Sequence, residues 1–180
     1  MISHFQRRIL PVTRFDNALD RKSINPRFQA FEKFISGMYL GEITRNILLY
    51  LIDEFPPVLF QGFSTPQLNA HYGFDSALMS DVETAKTSGE IRKILVDHLG
   101  FEPEVVSDED TDIVRWACRL VATRAAKLSG TAVAAVLVQT GHARIGGNSP
   151  DEKEPLKVGV DGRSVFFFFS RLSKISDLAR

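Results

Sequence analysis

Apolar residues recur between residues 28 and 47 at the spacing of one helix face: Phe28, Phe31, Ile35, Tyr39, Ile43 and Ile47. Asn25 suits a helix cap and Pro26 the first turn after it, so a helix is expected to open there. Beyond Ile47 the pattern ILLYLI is apolar on every side, which predicts that this end is buried, and Phe55-Pro56-Pro57 stops the helix. Inside it, Gly37 and Gly41 stand four apart on one face, each costing about 1 kcal/mol against alanine in a helix interior. Glu32 lies near its start. Local departures of this kind concentrate at functional sites.

The remaining pattern is mostly helical. Residues 1–25 are polar and irregular, with a turn signal at Asp16-Asn17. Residues 59–73 read as a connection with a short helical piece after Thr65-Pro66, and residues 76–83 as a short helix. GEIRKILVDH (89–98) is an amphipathic helix ended by Gly100. The acidic run 107–111 lies where a helix N-terminus favours negative charge. A long helix follows through Ile113, Trp116, Ala117, Leu120, Val121 and Leu128; Gly130 is expected to interrupt it before a small-residue apolar continuation over 131–139. After a polar loop at 146–155, Leu156, Val158 and Val160 alternate with Lys157, Gly159 and Asp161, a strand pattern ending in the turn Asp161-Gly162. Residues 165–169 could pair back on it as a hairpin.

Composition narrows the function classes. The chain has 180 residues, 44% hydrophobic and 24% charged, ordinary values for a globular domain with a real core. Lys+Arg and Asp+Glu number 22 each, so no net field favours nucleic acid or an anionic membrane. The longest membrane-like run, residues 47–52, is far too short to span a bilayer. The N-terminus lacks the apolar core of a secretory signal. Cys118 is the single cysteine, without metal or disulfide spacing, and reads as a small buried hydrophobe in a reducing, cytoplasmic compartment. His4, His71, His98 and His142 show no metal-like spacing, so no metal ligand is assigned. No GxSxG or Walker A string occurs.

On residue chemistry alone, the candidates have plain structural explanations. Glu32 suits the helix dipole. Gly37 and Gly41 suit close packing of another backbone, and the charged residues Glu32, Lys33, Glu42 and Arg45 around them exclude a membrane-type glycine pair. Glu42 and Arg45 read as a surface or helix-end ion pair of little energetic worth. Asp75 or Ser76 reads as an ordinary N-cap.

Five strings in order change that balance: LPVTRFDNALDRKSINP (10–26), FEKFISGMYLGE (31–42), GFDSALMS (73–80), RAAKLSGTAVAAV (124–136) and KVGVDG (157–162). Together they resemble the large, C-terminal domain of the hexokinase family, in particular its fungal-type hexokinases and glucokinases. The resemblance covers residues 10–162, leaving 1–9 unmatched and 163–180 as a divergent tail. It implies an α/β fold of the actin-like ATPase type with a ribonuclease-H-like sheet, incomplete here and therefore a helix-rich α+β piece. It implies ATP-dependent phosphorylation of a hexose, glucose, at the 6-hydroxyl, the first step of glycolysis, with ATP and Mg²⁺ as co-substrate. Glu32 would hold the hexose hydroxyls, since an ionised carboxylate accepts charge-assisted hydrogen bonds from neighbouring hydroxyls. Gly37 and Met38, with Ser76, Ala77, Leu78, Met79 and Ser80, would hold the nucleotide, the second group at a helix start suited to phosphate.

Other strings of the family do not occur in these residues: the phosphate loop LD-x-GGT, the NDT string with the catalytic aspartate, NTEWG with a further sugar-binding glutamate, and the DGSG-x-GAA nucleotide motif. No catalytic residue is therefore assigned. Both ends read as truncation or as a mis-drawn gene. The expectation is a chain inactive by itself, with helix faces left uncovered by a missing sheet. The alternative is a non-catalytic, truncated paralogue that binds sugar or pairs with a full-length hexokinase.

Overall fold

Caps written into the sequence set most of the helix starts. In the computed structural model, which describes residues 10–142, Thr13 and Ser107 each form a reciprocal capping box, with Asp16 and Asp110 respectively. Thr65, Asp75 and Thr87 accept from the N–H groups of Leu68, Leu78 and Glu90. The elements are α1 (Arg14–Lys22), α2 (Ala30–Ile35), α3 (Gly37–Asp53), a 3-10 turn (Phe60–Gly62), α4 (Pro66–Asn69), α5 (Ser76–Thr84), α6 (Ser88–Leu99) and α7 (Asp108–Gln139). There is no strand among the described residues. The strand expected at 156–160 and the hairpin partner at 165–169 lie outside them.

Three sequence expectations are corrected. Residues 14–22 form a helix rather than irregular chain; its buried residues are Asp16, Leu19 and Asp20, so its inner face carries no apolar period to detect. The helix expected from Pro26 is two helices. The chain turns through Arg27 and Gln29 in the left-handed region (φ 68° and 51°), α2 opens at Ala30, and Ser36 (ψ 133°) separates it from α3. Gly37 therefore stands at the first position of a helix, and the interior cost applies to Gly41 alone. Gly130 does not interrupt α7, which runs through it for 32 residues; one glycine costs only about 1 kcal/mol against the many bonds of a long helix.

The core forms around α3 and α7. Helix α3 packs against α1, α2, α4, α5 and α7, while α7 also covers α2, α5 and α6. Ile43, Leu48, Phe74, Met79, Leu95 and Ala117 are among the side chains closed off between them. The apolar end of α3 is less enclosed than its pattern suggests, because Leu49, Tyr50 and Leu51 keep partial exposure. Continuous burial falls earlier, over residues 39–45, and takes in Gly41, Glu42, Thr44 and Arg45. At the far side, Arg124 of α7 grips Asp16 of α1 through both guanidinium arms, at 2.8 and 2.7 Å. The last turns of α7 are uncovered, with Val136 at 59% exposure. By length and composition alone α7 is apolar and long enough to cross a membrane, a feature the expected break at Gly130 concealed.

Cys118 is buried as expected, and burial pushes its thiol well up, with the Glu83 carboxylate adding to the shift. The native chain should therefore resist a thiol-specific disulfide reagent until it is unfolded in urea; rapid modification under native conditions would contradict the burial. Gly41 gives a sharper test. A Cβ there would lie 2.4 Å from both the Asp75 carbonyl carbon and the Phe74 oxygen. Overpacking against backbone should exceed the helix-propensity gain of about 1 kcal/mol, so Gly41→Ala should lose about 2 kcal/mol net. Thermal denaturation followed by circular dichroism checks this, and an unchanged or raised Tm would refute it.

Candidate functional site

The resemblance places nucleotide at two segments, and the structure brings them together. Ser76 opens α5 directly against the first turn of α3. Its hydroxyl donates to the Gly37 carbonyl and accepts from the Gly41 N–H at 3.2 Å. The absent side chain at Gly41 is what lets residues 74–75 lie against the helix. Met38 projects outward beside this junction, 65% exposed. Ala77 is exposed too, but Leu78 and Met79 turn into the core. The Leu78 and Met79 N–H groups are occupied by the Asp75 carboxylate and carbonyl, at 2.9 and 3.3 Å. The Ser80 hydroxyl donates to the Ser76 carbonyl at 3.2 Å. Of the five residues that the resemblance names here, Leu78 and Met79 are thus buried, while Ala77 is exposed and Ser76 and Ser80 are half-buried.

Glu32, the sugar candidate, lies in the first turn of the short helix α2, exposed, with no side-chain partner among the described residues. Its neighbour Lys33 points the other way. The buried Lys33 ammonium donates to Asp20 at 2.8 Å and to the Asn25 carbonyl at 2.7 Å. Both Asp20 oxygens also accept from the Arg27 N–H at 3.0 Å. The left-handed turn before α2 is thereby held from inside, and the outward direction of Glu32 follows from it.

Sequence reasoning misread one pair. Glu42 and Arg45 are not a surface ion pair: their side chains are 0% and 2% exposed. Arg45 donates to the two carboxylate oxygens at 2.7 and 2.6 Å, and its remaining arm donates to the Leu68 and Asn69 carbonyls at 3.0 and 3.3 Å. Glu42 also accepts from the Tyr72 N–H at 2.8 Å. Burial pushes the Tyr72 phenol up, with Tyr39 and the Glu42 carboxylate adding to it. An acid and a base three apart look the same in sequence whether wet or dry; the nearby signal was Gly41, which marks an approaching backbone. Among the described residues, no group of three or more His, Cys, Asp or Glu side chains is placed to hold a metal ion.

A family profile described as Hexokinase matches residues 2–177. The chain is 42% identical over 151 residues to Hexokinase-3 of Mus musculus, covering 83% of this chain and 15% of that protein. It is 38% identical over 167 residues to Hexokinase-2 of Equus caballus, covering 90% and 17%. Among solved structures, a hexokinase from Schistosoma mansoni complexed with glucose superposes with a TM-score of 0.75 and 32% identity, over 92% of this chain and 35% of that one. The helices are therefore part of an actin-like ATPase fold of the hexokinase type, and the chain belongs to the hexokinase family. It spans about 15% of the length of the curated relatives it matches.

The Lys33 anchor yields a prediction. Lys33→Met should leave the buried Asp20 carboxylate facing the loss of its cation, a cost of about 3 kcal/mol. Urea denaturation of the two proteins reads it directly, and equal midpoints would show that the pair contributes nothing.

Proposed function

We propose that this chain supplies the hexose- and nucleotide-holding wall of a hexokinase cleft that transfers the ATP γ-phosphoryl group to the 6-hydroxyl of glucose, in the cytoplasm, at the entry to glycolysis. The observation that carries the reading is an exposed Glu32 with no side-chain partner among the described residues, a few residues before the junction of α3 and α5 tied by Ser76. Catalysis of phosphoryl transfer is mostly positioning and charge stabilisation, so rigid supports for two substrates are the parts to expect. Glu32 accepts hydrogen bonds from adjacent sugar hydroxyls and fixes the ring. The start of α5 presents N–H groups and a positive dipole end to phosphate, and Met38 offers apolar surface to the rest of the nucleotide. Mg²⁺ arrives with the triphosphate.

The family strings for the base and the first phosphate loop do not occur in these 180 residues, so this chain alone does not turn over. A coupled assay for glucose 6-phosphate should give no ATP-dependent signal from the purified chain, and clear turnover would refute that. Glucose should perturb amide resonances around Glu32, and Glu32→Gln should abolish the effect; no perturbation in either protein would remove the sugar half of the proposal. A second reading, a non-catalytic chain that pairs with a full-length hexokinase, draws on the exposed apolar residues Trp116, Leu120 and Val136 of α7. Titrating this chain into an active hexokinase separates the two, since only pairing alters that enzyme's rate or elution volume.

A further inference from the structure

The segment leading into α5 is fastened to α3 at two places on consecutive turns. Ser76 provides one, between Gly37 and Gly41. The Glu42–Arg45 pair provides the other, one turn on, through Leu68, Asn69 and Tyr72. We propose that Glu42 and Arg45 are positioning residues for the nucleotide wall, holding residues 68–72 so that the start of α5 and the start of α3 form one rigid surface. This rests on the reading that those two helix starts hold nucleotide.

Neither side chain can be a ligand contact, because both are closed off from solvent. Nor does stability require them to be charged: a buried ion pair is often matched or bettered by apolar residues of the same volume. Apolar residues could not hold a backbone turn at fixed points. The Leu68 carbonyl is buried and needs a polar partner, the Asn69 carbonyl and the Tyr72 N–H meet the pair part-buried beside it, and the pair bonds all three. Tyr72 also has a left-handed backbone, φ 61°, which a bulky residue keeps only when its surroundings over-determine it. Gly73 follows with no room for a side chain, a Cβ there falling 1.8 Å from the Gln67 oxygen. Phe74 is then fully buried, and Asp75 caps the helix that Ser76 opens. Along so short and constrained a path, a shift at Tyr72 is transmitted to Ser76.

The test is a titration of the ¹⁵N-labelled 180-residue chain with Mg·ATP. Native chain should show shifts at Gly37, Met38, Ser76 and Ala77. Glu42→Gln, which removes the charge, and Arg45→Lys, which keeps a buried cation but loses the fork, should each weaken the affinity by about tenfold and expose the Tyr72 amide to exchange. Arg45→Lys carries the test if Glu42→Gln does not fold. Arg124→Lys is the control: it disturbs the bidentate pair with Asp16, away from this segment, and should lower Tm while leaving the Mg·ATP affinity native. Affinities of the Glu42 and Arg45 variants within about twofold of native would overturn the inference. So would equal weakening by Arg124→Lys, which would reduce the effect to general stability. Absence of any shift in the native chain would instead overturn the nucleotide reading and the inference with it, so the two failures are told apart.

Discussion

A backbone can lie directly against a helix only where that helix gives up a side chain and offers polar partners, and α3 does both at neighbouring residues. Gly41 gives the space, since any side chain would strike the Phe74–Asp75 peptide. Glu42 and Arg45 give the partners. Much else depends on this contact. It carries α4 and the turn after it onto α3, it directs Phe74 into the core, and it sets where α5 begins. The apolar burial that drives folding is non-directional. The polar contact is what fixes the register of one segment on the other, and a site built from two segments needs that register.

Buried ion pairs recur where chain segments must meet in one arrangement. Lys33 with Asp20 fixes the turn before α2, and Arg124 with Asp16 joins residues 108 apart in sequence. Breaking such a pair costs about 3–5 kcal/mol, yet exchanging both partners for well-packed apolar residues is often neutral. Their value here is geometric. The Lys33 pair holds an unfavourable left-handed turn closed while Glu32, one residue earlier, is exposed, with no side-chain partner among the described residues.

What the sequence disclosed follows the same division. Helices α4, α5 and α6 and the start of α7 were legible because their signals are local: Thr65-Pro66, the cap at Asp75, the amphipathic run closed by Gly100 and the acidic run at 107–111; in the fold Thr65, Asp75, Thr87 and Ser107 each accept from the N–H three residues on. Helix α1 was not, although Thr13 caps it locally: two of its three buried residues are the carboxylates Asp16 and Asp20, so no apolar period marks it, and their burial makes sense only with Arg124 and Lys33 from other helices. The break at Ser36 was hidden by an apolar period that runs straight through it. The candidate site residues rest on resemblance rather than on any local signal. Glu32 and Ser76 carry no local mark of a ligand, whereas Gly41 did predict the close backbone approach that the fold shows.

The uncovered end of α7 shows how burial qualifies an inference from composition. The helix satisfies length and polarity for a bilayer span, but its first half is committed: Val114, Ala117, Val121, Ala122 and Ala125 are closed against the other helices. Arg124 is pinned by Asp16 at the same level. Only residues 127–139 remain, roughly 20 Å of helix at 1.5 Å per residue, against about 30 Å of hydrocarbon. A span would therefore require pulling the buried half out of the core and breaking the Arg124 pair. The free length is right instead for a helix end packed on protein. Its small residues Gly130, Ala132, Ala134 and Ala135 suit close approach by another element.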